Sequence, residues 1–568
     1  MEAEDKKLRK QILRRMKKLE QMREPYVAQW QKISEHITPA SGRFINEKTK
    51  NRARSRWNRI YDNTAVRAAN ILQAGLMSGM TDPSSQWFAL TTGTPELDEP
   101  HEVKVWLDQV QRIMEMAFAK TNVYQALQHA WREVGVYGVC AIVLDEDPLY
   151  SLVAHPLACG EYCIACDFRG KPDTLYRTFN MTAGQMIEAY GRKAVSRAVR
   201  EAYDKGNVDQ EFECIHAIEP RRDRDTRKRD NLNMPFRSIV IQKTVEQQEE
   251  NKVLEESGYQ SFPAIIGRWG ASASDVYSEE APGIVAIGDD LQLQHHQLQK
   301  GNAIDYMVNP PLVMPSDARD RESDFLPGGR TYIDNPSAGA QVQPAFNVNL
   351  PLGELNQDVL DIRNRINAAF SVDMFLMVSN ANRAQMTAEE VSRRHEEKLM
   401  MLGPVLSRLN QEVLQSLIER AFEILSRQGQ LPPPPEALRG RQLSIEYTSM
   451  LARSQRAIRA GGLDQLLSRV ERVGQYKPEA LAKIDGLAVI DEYADYFSVA
   501  PSVIVPNDVV QAQMQAQQEQ AAQAQQAEQA QMSADALSKL GKVPADESTM
   551  AGKALGQLGR MQADAQEE

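Results

Sequence analysis

The chain has 568 residues, enough for roughly two to four domains with sizeable cores. Hydrophobic residues make up 42 % and charged residues 25 %, ordinary values for a soluble protein, and the net charge of −11 means that any contact with nucleic acid must be local or weak. No apolar run approaches the ~20 residues of a membrane span, and five cysteines, an odd number, argue against a disulfide framework.

The opening MEAEDKKLRKQ has no apolar core of the kind an export signal carries, so a cytoplasmic chain is expected. Eight of the thirteen residues from Lys6 to Lys18 are Lys or Arg, while Leu8, Ile12, Met16 and Leu19 fall at helical spacing. Such a helix can lie on a membrane or on nucleic acid, or can pack one face and leave a basic face in water.

Helical spacing continues through Trp30, Ile33 and Ile37 to Pro39. Asp62-Asn63-Thr64 form an N-cap cluster ahead of a helix over Ala65–Met77. QWFAL at 86–90 reads as a short strand, and helices follow around Val103–Phe118 and Val123–Val134. From Gly138 to about Gly270 the period changes to two: GVCAIVLDED, YSLVAH, EYCIACDF, TLYRTFN, EFECIHAIE and FRSIVIQK are strands. A helix over Thr182–Tyr190 interrupts them, and RRDRDTRKRD at 221–230 is a solvated loop.

Gly283 to Asn309 reads as a helix of roughly 40 Å, ending at Pro310-Pro311. About 40 residues rich in Pro, Gly, Asn and Asp follow, with strand-like pieces PPLVM, RTYID and AQVQP. A second helix then carries Leu355, Val359, Ile362, Ile366 and Phe370 as one stripe. Two long helices thus flank a small β-rich tip.

SVDMFLMVSNANRAQM begins apolar and turns small and polar. Thr387 and Glu390 make a capping box for a long helix to about Arg427, with a kink expected at Gly403-Pro404. PPPP at 432–435 closes it, and residues 449–495 are helical again. Of the 21 residues from Gln511 to Gln531, 18 are Gln or Ala, a marginal helix alone that reads either as a tube in a ring of copies or as a disordered tail.

No phosphate-cradling G-x-x-x-x-G-K-[ST], no H-E-x-x-H and no G-x-S-x-G occurs, so no catalytic residue is assigned. His295 and His296 are adjacent on a helix and make a poor metal pair. Cys159, Cys163 and Cys166 have a C-x3-C-x2-C spacing similar to that of radical-SAM enzymes. They fall on a strand, where Cys163 and Cys166 face opposite sides, and no repeated βα pattern follows. No metal or cofactor is therefore expected.

The order of parts resembles the portal, or head-to-tail connector, proteins of short-tailed, T7-like bacteriophages, from about residue 8 to about residue 500. Four stretches carry the resemblance: DNTA with NILQAGLMSGMTDPSSQWFAL, the paired helices around NPPLVMP, SVDMFLM, and MTAEEVSRRHEEKLMMLGPVLSRLNQEVLQSLIERAFEIL followed by LPPPPEAL. The charged loop 221–230, the three cysteines and the long Gln/Ala tail depart from it.

The resemblance implies an α+β, mainly helical portal fold assembled as a ring. Residues 1–282 would be the wing, helical and then β-rich; 283–309 and 353–372 the stem helices; 310–352 the clip. Residues 373–386 would be the tunnel loop, 387–430 a kinked wing helix, 431–505 the crown, and 506–568 a Gln/Ala-rich barrel or a disordered tail. It implies no catalysis and no cofactor. It also implies a dodecameric ring at one capsid vertex of the virion, assembled in the host cytoplasm, through which double-stranded DNA passes without base readout during packaging and ejection.

The implied partners are the large terminase subunit, the major capsid and scaffolding proteins, tail adaptors and internal core proteins, with no membrane. The implied sites are Ser379, Asn380, Asn382 and Arg383 in the tunnel loop, and Arg319, Arg321 and Arg330 on the docking clip. Leu355, Val359, Ile362 and Ile366 would pack the stem. Two other readings compete: a basic-helix nucleic-acid or membrane-binding protein, and a cysteine-liganded metalloenzyme.

Overall fold

In a computed structural model the described residues are 2–39, 60–94, 100–228, 230–246, 249, 252–270, 275–308, 312–313, 343–344, 351–380, 402–438, 444–447, 462–473, 476–477, 484–496, 503–505 and 507–540. Contacts divide the chain into two units, residues 1–94 with 106–453, and residues 95–105 with 454–568.

The first unit opens with α1, Glu2–His36. Its apolar stripe is buried: Ile12, Met16 and Leu19 pack on Cys163, Tyr176, Ile215, Ala217, Ile239 and Ile241 of a sheet. That sheet is antiparallel in the order β4 (Tyr162–Cys166), β5 (Pro172–Thr182), β6 (Glu211–Pro220), β7 (Phe236–Gln242) and β8 (Glu255–Tyr259). Strand alternation supplies the face that α1 covers; Tyr176, Ala217 and Ile239 are register partners across three strands. The helix after β5 has the capping box of Thr182 and Gln185. Helix Arg197–Asp204, β8 and β9 (Ala264–Arg268) were not assigned from sequence; each is eight residues or fewer.

β2 (Val139–Asp147) is central in a second sheet, between β3 (Ser151–Leu157) and β9. β2 is buried from Val139 to Leu144, where helix α4 (Val123–Tyr137) and the helix Ser416–Arg427 pack on it. An aromatic cluster locks α1 in place: the Trp30 indole donates to the Tyr137 carbonyl at 3.0 Å and packs against Tyr26 and Tyr277. The short strand expected near Trp87 is β1, Phe88–Thr91, paired with β12, Ser444–Tyr447.

The helix after Asp62 is α2, Thr64–Met80. The paired long helices are α7, Pro282–Val308, and α8, Leu352–Ala369. β10 (Leu312–Val313) and β11 (Gln343–Pro344) pair antiparallel across the ends of the expected tip, inside PPLVM and AQVQP; RTYID lies outside the described residues.

One local expectation differs from what is found. The stretch from Asp373, expected as a loop, is helical over Val372–Asn380, labelled α9. Its apolar residues explain this: Met374 is buried, and Phe375 sits on α2 where a Cβ built on Gly75 would come within 2.0 Å of the ring. The helix around Gly403-Pro404 is described only from residue 402, so the expected kink lies at the edge of the described residues; further on comes a π-helical turn at Asn410–Gln415, followed by α10, Ser416–Arg427. There Gly267 of β9 lets Val413 approach; a built Cβ would lie 2.3 Å from Val413 Cγ2. Beside it Arg268 and Glu412 form a largely buried ion pair, and Glu412 also accepts from the Arg268 backbone at 3.0 Å.

The second unit contains helical residues 462–473, helix α11 (Gly486–Tyr496) and helix α12 (Asn507–Leu540). The Gln/Ala segment is therefore helical here. Tyr493 hydrogen-bonds Asp464, and Asn507 Nδ2 donates to Asp491 at 2.7 Å.

The Gly75 contact is testable. Gly75→Ala should lower the thermal midpoint, by on the order of 1–3 kcal/mol of stability. Gly79→Ala, whose added Cβ meets nothing within 4 Å, should not. Calorimetry compares the two; equal midpoints would mean that α9 is not seated on α2.

Candidate functional site: the anchored stem

The stem is built from α7 and α8. Val359, Ile362, Ile366 and Phe370 line the buried face of α8, which packs on α7 and α2; Leu355, one turn further out, is half-buried. The facing side of α7 buries Ile284, Ile287 and Leu293. Polar links run alongside: Lys300 Nζ donates to Asn356 Oδ1 at 2.7 Å, and Arg365 pairs with Asp289 at 3.4 Å.

At the root of the stem a buried polar cluster gathers three separate stretches of chain around Asp62. Its Oδ1 accepts from the Thr64 backbone N–H at 2.9 Å and from the Thr64 hydroxyl. Its Oδ2 accepts from both Nε and Nη2 of Arg363, at 3.1 and 2.7 Å, and from Gln297 Nε2 at 3.2 Å. Gln294 completes the tie: Oε1 accepts from the Tyr61 and Asp62 backbone N–H groups, while Nε2 donates to the Asp62 carbonyl and to Asp290 Oδ1. The N-cap reading of Asp62-Asn63-Thr64 is thus half of its role. The residue at the N-cap position is Asn63, with no side-chain cap bond, and the Asp62 carboxylate is spent on the stem.

The two carboxyls of this cluster behave oppositely. Burial works to raise Asp62, but hydrogen bonds from Thr64 and Arg363 outweigh it and hold the carboxyl below the usual range. Burial pushes Asp290 up to about 7, the Asp62 charge adds to this, and the Gln294 hydrogen bond opposes. Its Oδ2 is buried without a hydrogen-bond partner. A groove of about 720 Å³ adjoins the cluster, lined by Tyr61, Arg67, Ile71, Arg363, Asn367 and Leu376.

Of the expected tunnel-loop residues, Ser379 and Asn380 end α9, and Asn382 and Arg383 lie outside the described residues, as do Arg319, Arg321 and Arg330 of the clip. Asp62 entered the sequence reading only as part of the N-cap cluster and the DNTA stretch; Asp290, Gln294 and Arg363 were not singled out.

The cysteines do not converge as ligands. Cys163 is buried under α1, and its thiol is pushed up to about 11 by burial. Cys166, at the irregular end of β4, lies 3.6 Å from Arg268 Nη1. The Cys159 backbone N–H donates to buried Glu133, and its thiol is raised by burial and by that carboxylate. Among the described residues no group of three His, Cys, Asp or Glu side chains could hold a metal ion. Protonated, separated thiols are poor ligands and poor nucleophiles.

The two long helices are tied to the α+β body through the Asp62 cluster. A profile described as "Bacteriophage head to tail connecting protein" matches residues 9–505. The chain is 42 % identical over 535 residues to the "Probable portal protein" of Bordetella phage BPP-1, covering 94 % of this chain and 96 % of that one. It is 37 % identical over 503 residues to the "Portal protein" of Salmonella phage epsilon15, covering 89 % and 90 %. A chain from the "Neck of empty GTA particle computed with C6 symmetry" aligns over 76 % of this chain and 92 % of that one at 10 % identity, with a TM-score of 0.32, too low to add to the assignment.

The protein belongs to the bacteriophage head-to-tail connecting protein family. Its relatives are the portal proteins of short-tailed phages, which are components of the virion.

The Asp290 environment sets a pH dependence. A carboxyl whose folded pKa is raised binds its proton in the folded state where the unfolded chain has lost it. Stability is therefore full below the unfolded carboxylate pKa and falls as pH rises through about 7. Asp290→Asn should narrow the stability difference between about pH 5 and about pH 8 by on the order of 1–3 kcal/mol. Thermal melts of both proteins across that range check this; parallel profiles would mean that Asp290 does not titrate there.

Proposed function

We propose that the protein forms a dodecameric ring at one capsid vertex. Its central channel passes double-stranded DNA during packaging and ejection, and its clip docks the large terminase subunit and then tail adaptors. The ring also meets the major capsid, scaffolding and internal core proteins. It performs no catalysis; the work of packaging comes from the terminase.

One observation supports assembly most directly. No residue of α7 beyond Gln294 is buried in the protomer, yet that half of the helix carries Leu298, Ile304, Tyr306, Met307 and Val308. Val285 of α7 and Leu360 of α8 are also 61 % and 54 % exposed. A helix half that exposes so much apolar surface and buries none of it within the protomer needs neighbours, as the stems of an obligate ring supply.

A net charge of −11 per protomer suits a channel that must not grip its cargo, because repeated negative charge repels phosphates and keeps the duplex mobile. Arg383, the cation of the expected tunnel loop, would meet the backbone in any sequence context.

Mass photometry of the purified chain should find a ring near twelve times 63.8 kDa. The double variant Val285→Arg/Leu360→Arg should give folded protomers at 63.8 kDa, because both side chains already face solvent within the protomer. Rings of unchanged mass would put the subunit interface elsewhere. Arg383→Ala should leave the ring intact but lower the yield of full heads, or raise their leakage, by severalfold. Wild-type values for both would take that residue out of the DNA path.

A further inference from the structure

The basic side of α1 is left over once the fold is accounted for. Arg9 and Arg15 are used internally: Arg9 donates to the Lys243 carbonyl, and Arg15 pairs with Glu219, which also holds Arg237 and the Tyr176 hydroxyl. Lys7, Lys10, Arg14, Lys17 and Lys18 are all exposed. At about 100° per residue they fall within an arc of roughly 100°, on the side of the helix away from Ile12, Met16 and Leu19. Lys7, Arg14, Lys17 and Lys18 make no ion pair among the described residues. No acidic residue interrupts the run; α1 carries none between Asp5 and Glu20. The result is a straight row of cations roughly 16 Å long on a helix bolted to a sheet.

We infer that this row is a docking surface for the phosphate backbone of duplex DNA, independent of sequence and distinct from Arg383 of the expected tunnel loop. It rests on the portal reading only in that duplex DNA is the polyanion such a protein meets. Charge complementarity carries the argument. One strand of a duplex presents a phosphate about every 3.4 Å of axis, so roughly five phosphates lie along the row. The whole chain is net negative, so a polyanion can be held only where cations are gathered and unpaired.

Insertion into a lipid surface is disfavoured because it needs an apolar helix face, and that of α1 is already buried on the sheet. The side chains here reach no base edges and have no groove-shaped element behind them, so the contact is positional and salt-sensitive.

The test uses the full-length protein and a fluorescent random-sequence duplex of about 24 base pairs, titrated by anisotropy between about 50 and 200 mM salt. The four-site variant Lys7→Gln/Arg14→Gln/Lys17→Gln/Lys18→Gln removes the unpaired cations without touching the buried face. Wild-type binding should weaken with a log–log salt slope that the variant makes shallower by about 3.6 per protomer engaged. That difference corresponds to an about 150-fold smaller loss of affinity across this salt range. Lys7→Arg/Lys17→Arg/Lys18→Arg, which keeps the charge, should retain the wild-type slope.

An unchanged slope in the four-site variant overturns the inference. If Arg383→Ala removes binding and the four-site variant does not, DNA is held only in the channel, and that reading survives while this one fails. If wild type binds anionic vesicles or an acidic capsid protein but no duplex, the row serves another partner and the inference is wrong.

Discussion

A buried carboxylate must be satisfied wherever it is placed, and the stem of this protein is organised around one. Asp62 leaves water at the start of α2, and donors from Thr64, Gln297 and Arg363 compensate its charge. These donors lie on α2, α7 and α8, so three elements that are remote in sequence can satisfy the carboxylate only in one mutual arrangement. Removing one partner of such a group costs more than the pair contributes, which makes the cluster a specificity device rather than a source of net stability. The apolar stripe from Val359 to Phe370 supplies the burial energy; the polar root fixes the register.

The same division of labour recurs in the body. Apolar contact brings α10 and its π-helical turn onto β9, with Gly267 leaving room for Val413. The Arg268–Glu412 pair then fixes how the two meet. Arg420 does likewise on the next turns, donating to Ser261 at 2.9 Å with its guanidinium over the Tyr259 ring. Buried His216 stays neutral: burial and Arg177 push it down to about 3, and its Nδ1 accepts from Arg177 Nε while Nε2 meets the Ser238 hydroxyl. Each of these groups is positioned by packing and then makes that packing unique.

Charge is handled differently at the two ends of the molecule's tasks. Inside, most buried charges meet an opposite charge, as Asp62 does with Arg363 and Glu412 with Arg268. On the outer side of α1 Lys7, Arg14, Lys17 and Lys18 make no ion pair among the described residues, although the chain as a whole is acidic.

Much of the architecture was legible in the sequence because it rests on local periodicity. The 3.6-residue stripes of α1 and α8 announce each helix and the face it buries, and the strand-like runs announce β2, β5, β6 and β7, although β2, β6 and β7 are buried on consecutive residues and so on both faces. The resemblance carried by DNTA, SVDMFLM and the long helix before LPPPPEAL pointed to the connector family, which the comparisons establish. Short elements escaped because few residues define a period: helix Arg197–Asp204, β8 and β9 gain their stability from neighbours. The helical state of Val372–Asn380 depends on a pocket that Gly75 opens on another helix, and no local signal records that. The Asp62 cluster was invisible for the same reason. Its members are 301 residues apart at the extremes, and a hydrogen bond between them exists only after α7 and α8 have packed. Sequence determines which faces are apolar and where elements begin. Tertiary structure alone decides which buried charges find partners, because pairing depends on distances that only the folded chain sets.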